Sequence, residues 1–126
     1  MNILLWVLQV LLALAFLAHG LLFLFPPAAI AEQMNATLPR WFQLFLGVAE
    51  ALAGIGLTLP ALTRIQTWLV PCAAAGIMIV MISATVFHLM RGEISSAVTT
   101  MVLLVMATFV AYMRWRALPI PSRRAA

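Results

Sequence analysis

Four long stretches of the sequence contain no lysine, arginine or aspartate: residues 3–25, 41–59, 68–90 and 96–113. Each is 18 to 23 residues long, and a helix that crosses a bilayer needs about 17–25 mostly apolar residues. Only 8% of the chain is charged and 66% is hydrophobic, whereas soluble domains contain about 25% charged and about 45–50% apolar residues. The sequence therefore predicts an all-α integral membrane protein, with residues 1–126 in a single domain, and excludes a water-soluble fold and a nucleic-acid partner.

The connections between the four stretches are short, which favours an up-down antiparallel four-helix bundle. The longest connection, residues 27–40, contains a segment over 28–34 that we interpret as a short helix on the membrane surface, because Pro27 suits a first helical turn. The second stretch should end at Pro60, since proline cannot continue the hydrogen-bond ladder of a helix.

The arginines predict how the chain is oriented in the membrane. If both termini face the cytoplasm, that side holds Arg64 and a C-terminal cluster that we interpret as a cytoplasmic anchor, and the outer side holds two arginines. The cluster consists of Arg114, Arg116, Arg123 and Arg124, and the outer pair of Arg40 and Arg91. We therefore expect an integral protein of the bacterial cytoplasmic membrane with both termini in the cytoplasm.

Glu50 is the most costly residue within the four stretches. It lies near the middle of the second stretch, where insertion scales assign acidic residues about 2.5–3.5 kcal/mol. We therefore expect Glu50 to face the bundle interior, on a helix face that also carries Gln43, Gly47 and Gly54 at steps of three and four residues. Glycines on that face either allow a neighbouring helix to approach closely or leave room for a ligand.

Two histidines complete the set of intramembrane candidates. His19 and His88 lie toward the outer ends of the first and third stretches, so they could line one outward-facing cavity with Glu50, with Arg91 at its mouth. Glu50 and the histidines could equally be neutral groups that hydrogen-bond between helices. Two histidines and a glutamate also match the ligands of zinc or non-haem iron sites, but they come singly from three helices. We therefore predict no metal site.

Two segments resemble a known family. The segment 46–60, Leu-Gly-Val-Ala-Glu-Ala-Leu-Ala-Gly-Ile-Gly-Leu-Thr-Leu-Pro, is similar to the second helix of the DoxX-like membrane proteins, and 87–93, Phe-His-Leu-Met-Arg-Gly-Glu, to the end of their third helix. The resemblance covers most of the chain. It implies a four-helix membrane fold, and an association that some members have with quinol oxidation or with thiol and oxidative-stress systems.

These observations leave three functions open. The first is a module that binds a small amphipathic molecule, such as a quinone, in an outward-facing intramembrane pocket whose candidate ligand-binding residues are Glu50, His19, His88, Arg91, Gln43, Gly47 and Gly54. The second is a non-catalytic accessory subunit of a larger membrane redox complex, or a homo-oligomer, in which Glu50 only ties helices together. The third is an enzyme that uses Glu50 and His19 as acid and base; no nucleophile or cofactor motif supports it.

Overall fold

The computed structural model describes residues 1–123 and contains four long helices and one short one. The helices are α1 (Asn2–Leu24), α2 (Ala28–Thr37), α3 (Arg40–Thr63), α4 (Leu69–Met90) and α5 (Ile94–Tyr112), and α5 continues as a π-helical turn, Met113–Ala117. The four long helices, α1, α3, α4 and α5 with its π-helical turn, have the length and the apolar composition that are needed to cross a membrane. The predicted all-α bundle with four spans and a short helix between the first two is confirmed.

The bundle consists of two helix pairs. Helix α1 packs closely against α3, and α4 packs closely against α5, whereas α3 and α4 are less tightly packed and α1 and α5 barely touch. A core of buried apolar side chains joins the two pairs, with contributions from all four long helices, including Leu12, Leu57, Ile77 and Val110. Lipid-facing positions are also apolar, as expected for helices that expose one side to a bilayer.

Three glycines set the close packing of α1 on α3. A Cβ atom added at Gly20 would lie 2.8 Å from the carbonyl oxygen of Gly47, and one added at Gly54 would lie 2.9 Å from the carbonyl oxygen of Ala13. Backbone therefore meets backbone along this seam, as small residues permit between membrane helices. Of the two roles that the sequence left open for Gly47 and Gly54, the structure shows close helix approach.

The end of α3 differs from the sequence prediction. The helix does not end at Pro60 but continues for one more turn to Thr63. Pro60 and Ala61 are buried, and Arg64 closes the helix in the left-handed conformation, with φ of 58°. Packing of this turn offsets the loss of the backbone hydrogen bond that a proline cannot donate.

Arg114 differs from the other arginines of the C-terminal cluster because it is buried. Arg114 is 3% exposed, because the π-helical turn carries its side chain into the bundle. Its Nε donates to Gln9 Oε1 at 2.6 Å, and its Nη1 donates to Asn2 Oδ1 at 2.8 Å and to the Leu118 carbonyl at 3.1 Å. The other arginines of that cluster differ: Arg116 and Arg123 are exposed, and Arg124 lies outside the described residues.

Candidate functional site

Glu50 and His19 form a polar pair inside the membrane-spanning region. His19 Nδ1 lies 2.7 Å from Glu50 Oε2, a short hydrogen-bond distance typical of a charged or strongly polar partner. The two side chains meet because the glycine seam brings α1 and α3 together in antiparallel register. Glu50 is the eleventh of the 24 residues of α3, about 15 Å from the Arg40 end at about 1.5 Å per residue.

The two members of this pair differ in their exposure. The Glu50 side chain is 3% exposed, whereas that of His19 is 52% exposed. The His19 ring packs edge-on against Phe23 at a centroid distance of 4.7 Å. The carboxyl group is therefore held inside the bundle, and its imidazole partner reaches the bundle surface, where protons can be exchanged more easily.

A groove of about 530 Å³ runs between α3 and α4, and Glu50 contributes to its lining. Six of the lining residues have small side chains: Ala49, Ala53, Gly56, Cys72, Ala73 and Gly76. These leave space between two helices that elsewhere carry bulky residues. Among the described residues of the lining, Glu50 supplies the only carboxyl group, and the remainder is almost entirely apolar.

The groove extends from Glu50 toward Pro60 and Leu69, at the loop that joins α3 to α4. Arginine counting predicts this end to be cytoplasmic, so the groove does not run in the outward direction expected from the sequence. The outward cavity was inferred from the depths of His19, His88 and Arg91, but none of these residues lines the groove. Depth along a helix says nothing about which neighbouring helix a side chain faces.

His88, in the last turn of α4, and Arg91, which follows the helix, lie instead beside the turn between α4 and α5. Arg91 Nε donates to Glu93 Oε1 at 2.7 Å, and its guanidinium lies 5.3 Å from the centroid of the Phe87 ring. His88 Nδ1 lies 3.5 Å from the same Glu93 oxygen, which is too long for a good hydrogen bond. The hydrogen bond from Arg91 holds the pKa of Glu93 below its ordinary value.

Gln43 has a structural role in the connection between α1 and α3. Its Nε2 donates to Asn35 Oδ1 at 3.0 Å and to the Leu38 carbonyl at 2.8 Å. Beside it, Arg40 donates to the carbonyls of Phe23 and Leu24 at 2.7 and 2.9 Å, and so caps the end of α1. These contacts fix the end of the α1–α3 pair that lies nearest His19.

Sequence reasoning missed several residues of the groove and the buried Arg114. One of them is Cys72, which is exposed and lines the groove with Phe16 and Gly76. The available signal was the cluster of small residues in the second and third stretches, which marks a place where two helices leave space. For Arg114 the signal was Gln9, a polar residue in the middle of an otherwise apolar stretch.

Four apolar helices with an acid buried at mid-span define a small helical membrane protein. The model of the DoxX-like family matches residues 7–110, which is most of the chain and contains at least part of each of the four spans. The protein therefore belongs to the DoxX-like family, as the resemblance of its second and third spans implied. No curated protein and no solved structure gives a significant match.

Proposed function

We propose that this integral membrane protein binds a neutral amphipathic molecule of the quinone type in the α3–α4 groove. The observation that carries the proposal is a single buried carboxyl group, Glu50, at one end of an otherwise apolar groove. Ligand sites are commonly apolar clefts of about 300–1,000 Å³ with a few polar groups that fix orientation, and this groove falls in that range.

The depth of Glu50 favours a neutral ligand over a phospholipid. Glu50 lies near mid-span, where a charged headgroup would have to leave water at a large cost. A quinone ring is uncharged, accepts hydrogen bonds and has an apolar tail. From Glu50 to Pro60 the groove follows α3 for about 15 Å, which accommodates a ring at the carboxyl group and part of a tail toward the loop.

The groove is also accessible from the bilayer. Leu52 and Leu59, which line it, are 61% and 54% exposed, so a lipid-soluble molecule can enter sideways without passing through water. In the proposal, Glu50 hydrogen-bonds the headgroup, and His19 orients Glu50 and exchanges a proton with it. His88, Arg91 and Gln43 take no part in binding, and Gly47 and Gly54 act only by positioning α3.

Cys72 provides a native reporter for this proposal because it is the single cysteine of the chain and lines the groove. Protein in native-lipid membranes is labelled with N-ethylmaleimide with and without decylubiquinone. We expect decylubiquinone to slow the labelling in a saturable way. In Glu50→Leu, the side chain can no longer donate a hydrogen bond to a quinone carbonyl, so we expect about fivefold weaker protection, as for loss of one neutral hydrogen bond.

Gly76 allows the groove to be filled. A Cβ added there meets no atom within 4 Å, so Gly76→Leu should place its side chain in the groove without disturbing the helices. The matched control is Ala75→Leu, which adds the same side chain at an exposed neighbouring position. We expect Gly76→Leu to abolish protection by decylubiquinone and Ala75→Leu to retain it. Equal protection in both variants would refute binding in the groove.

A further inference from the structure

The two helix pairs, α1/α3 and α4/α5, are joined by polar contacts at one end. Arg114, in the turn after α5, donates to Gln9 and Asn2 of α1, and Gln9 Nε2 in turn donates to the Leu57 carbonyl of α3 at 2.8 Å. One guanidinium group therefore connects α5 to α1 directly and to α3 through one side chain. Its Nη2 is buried without a hydrogen-bond partner among the described residues.

The segment after this turn adds a second connection at the same end. Arg64 Nε, in the α3–α4 loop, donates to the Pro121 carbonyl at 3.0 Å, and the hydroxyls of Thr67 and Ser122 lie 2.9 Å apart. Thr67 is 8% exposed. The C-terminal segment is thus bound to the loop at which the α3–α4 groove ends.

Elsewhere the side-chain hydrogen bonds stay within one pair or within one connection. Across residues 1–123, those between the α1/α3 side and the α4/α5 side all come from Arg114 or from the segment 118–123. Thr85 and Thr100, for example, join α4 only to α5. Away from this end the pairs contact each other through apolar side chains. In a bilayer such contacts can be exchanged for lipid contacts, since lipid tails are as apolar as leucine.

We propose that the Arg114 contacts and the bound C-terminal segment form a hinge, and that the groove opens when the two helix pairs swing apart about it. The groove lies at the α3–α4 seam, between the pairs, so separation of the pairs widens it. The hinge end stays closed because its hydrogen bonds are directional, and the bond from Arg114 to Gln9 is buried. That this opening admits a ligand rests on the proposed function, whereas the opening itself is measured without one.

The test is the rate at which N-ethylmaleimide labels a cysteine introduced at a buried position of the groove, Ile77→Cys in a Cys72→Ser chain, in membranes without added ligand, since Ile77 lines the groove and is 1% exposed. Arg114→Leu removes the hinge contacts, and we expect labelling about tenfold faster, because loss of charge-assisted hydrogen bonds shifts an opening equilibrium by about that factor. Arg116→Leu removes an exposed arginine two residues away and should leave the rate unchanged. Thr85→Val breaks a hydrogen bond within one pair, so it controls for lost stability without a loosened hinge.

A second variant keeps the test decisive if Arg114→Leu does not fold. Thr67→Val loses the contact with Ser122 at the same end and should raise the labelling rate by about two- to threefold, in line with one neutral hydrogen bond. Unchanged labelling in the hinge variants, or an equal rise in Thr85→Val, would overturn the hinge. Protection of Cys72 by decylubiquinone is a separate readout, so its failure would refute the proposed function and leave the hinge result standing.

Discussion

The bundle contains two polar clusters, one of which is accessible and the other enclosed. At mid-span, Glu50 is buried but touches both an open groove and the half-exposed His19. At the hinge end, Arg114 is enclosed, and three acceptors take up its Nε and Nη1 hydrogens. The first arrangement leaves a polar group accessible to a molecule that enters from lipid, and the second uses a polar group to hold helices together. Accessibility, more than charge or depth, separates a candidate site from a structural contact in this protein.

The largest effect should follow from breaking the seam on which the mid-span pair depends. In Gly20→Ala, the added methyl group would lie 2.8 Å from backbone atoms of Gly47 and Ala51, so α1 and α3 must move apart. We expect a loss of about 2–3 kcal/mol in the free energy of unfolding, as for an overpacked core, together with loss of the His19–Glu50 contact. Gly76→Ala, which meets no atom within 4 Å, should change stability by under about 0.5 kcal/mol.

Unfolding of the purified proteins in a denaturing detergent series measures this difference. The comparison of Gly20→Ala with Gly76→Ala separates a steric effect from the general effect of replacing a glycine in a helix. Equal stabilities for the two variants would contradict the view that the α1–α3 seam positions the site.

A smaller effect should distinguish the two polar clusters directly. Gln9→Leu leaves a buried N–H group of Arg114 without its acceptor, and we expect a loss of about 2 kcal/mol, since hydrogen bonds to charged groups contribute about 1.5–3 kcal/mol. His19→Leu removes a partner that is itself half-exposed, so we expect a loss of about 1 kcal/mol or less. The same unfolding measurement compares them, and a larger loss for His19→Leu would reverse the assignment of roles.

The sequence was sufficient to predict the helices but not which helices contact each other. The number of spans follows from the four long stretches without lysine, arginine or aspartate. The burial of Glu50 follows from the free energy that a carboxyl group costs in lipid, so both could be predicted. The direction of the groove depends on which helices face each other across Ala53, Ala73 and Gly76, and no pattern within one helix carries that information. The burial of Arg114 could not be predicted, because the side chain of an arginine at the end of a span can also extend into water. Only the π-helical turn directs this side chain into the bundle.

The smallest effect concerns the α4–α5 turn, which the structure assigns to neither cluster. Because the hydrogen bond from Arg91 lowers the pKa of Glu93 from its ordinary value of 4.5, the ionised form favours the folded state. This contribution is present above pH 4.5 and is lost as the pH falls below it. We expect a slight acid destabilisation that Arg91→Gln or Glu93→Gln reduces. Unfolding at pH 6 and pH 4 measures it, and an unchanged pH dependence in both variants would contradict the assignment.

Binding of a quinone in the α3–α4 groove is tested by native mass spectrometry of the protein released from gentle detergent, with decylubiquinone added. We expect one bound quinone on the wild-type chain and on Ala75→Leu, and none on Gly76→Leu, whose added side chain fills the groove. Equal occupancy of the two leucine variants, or no bound quinone on the wild-type chain, would contradict it.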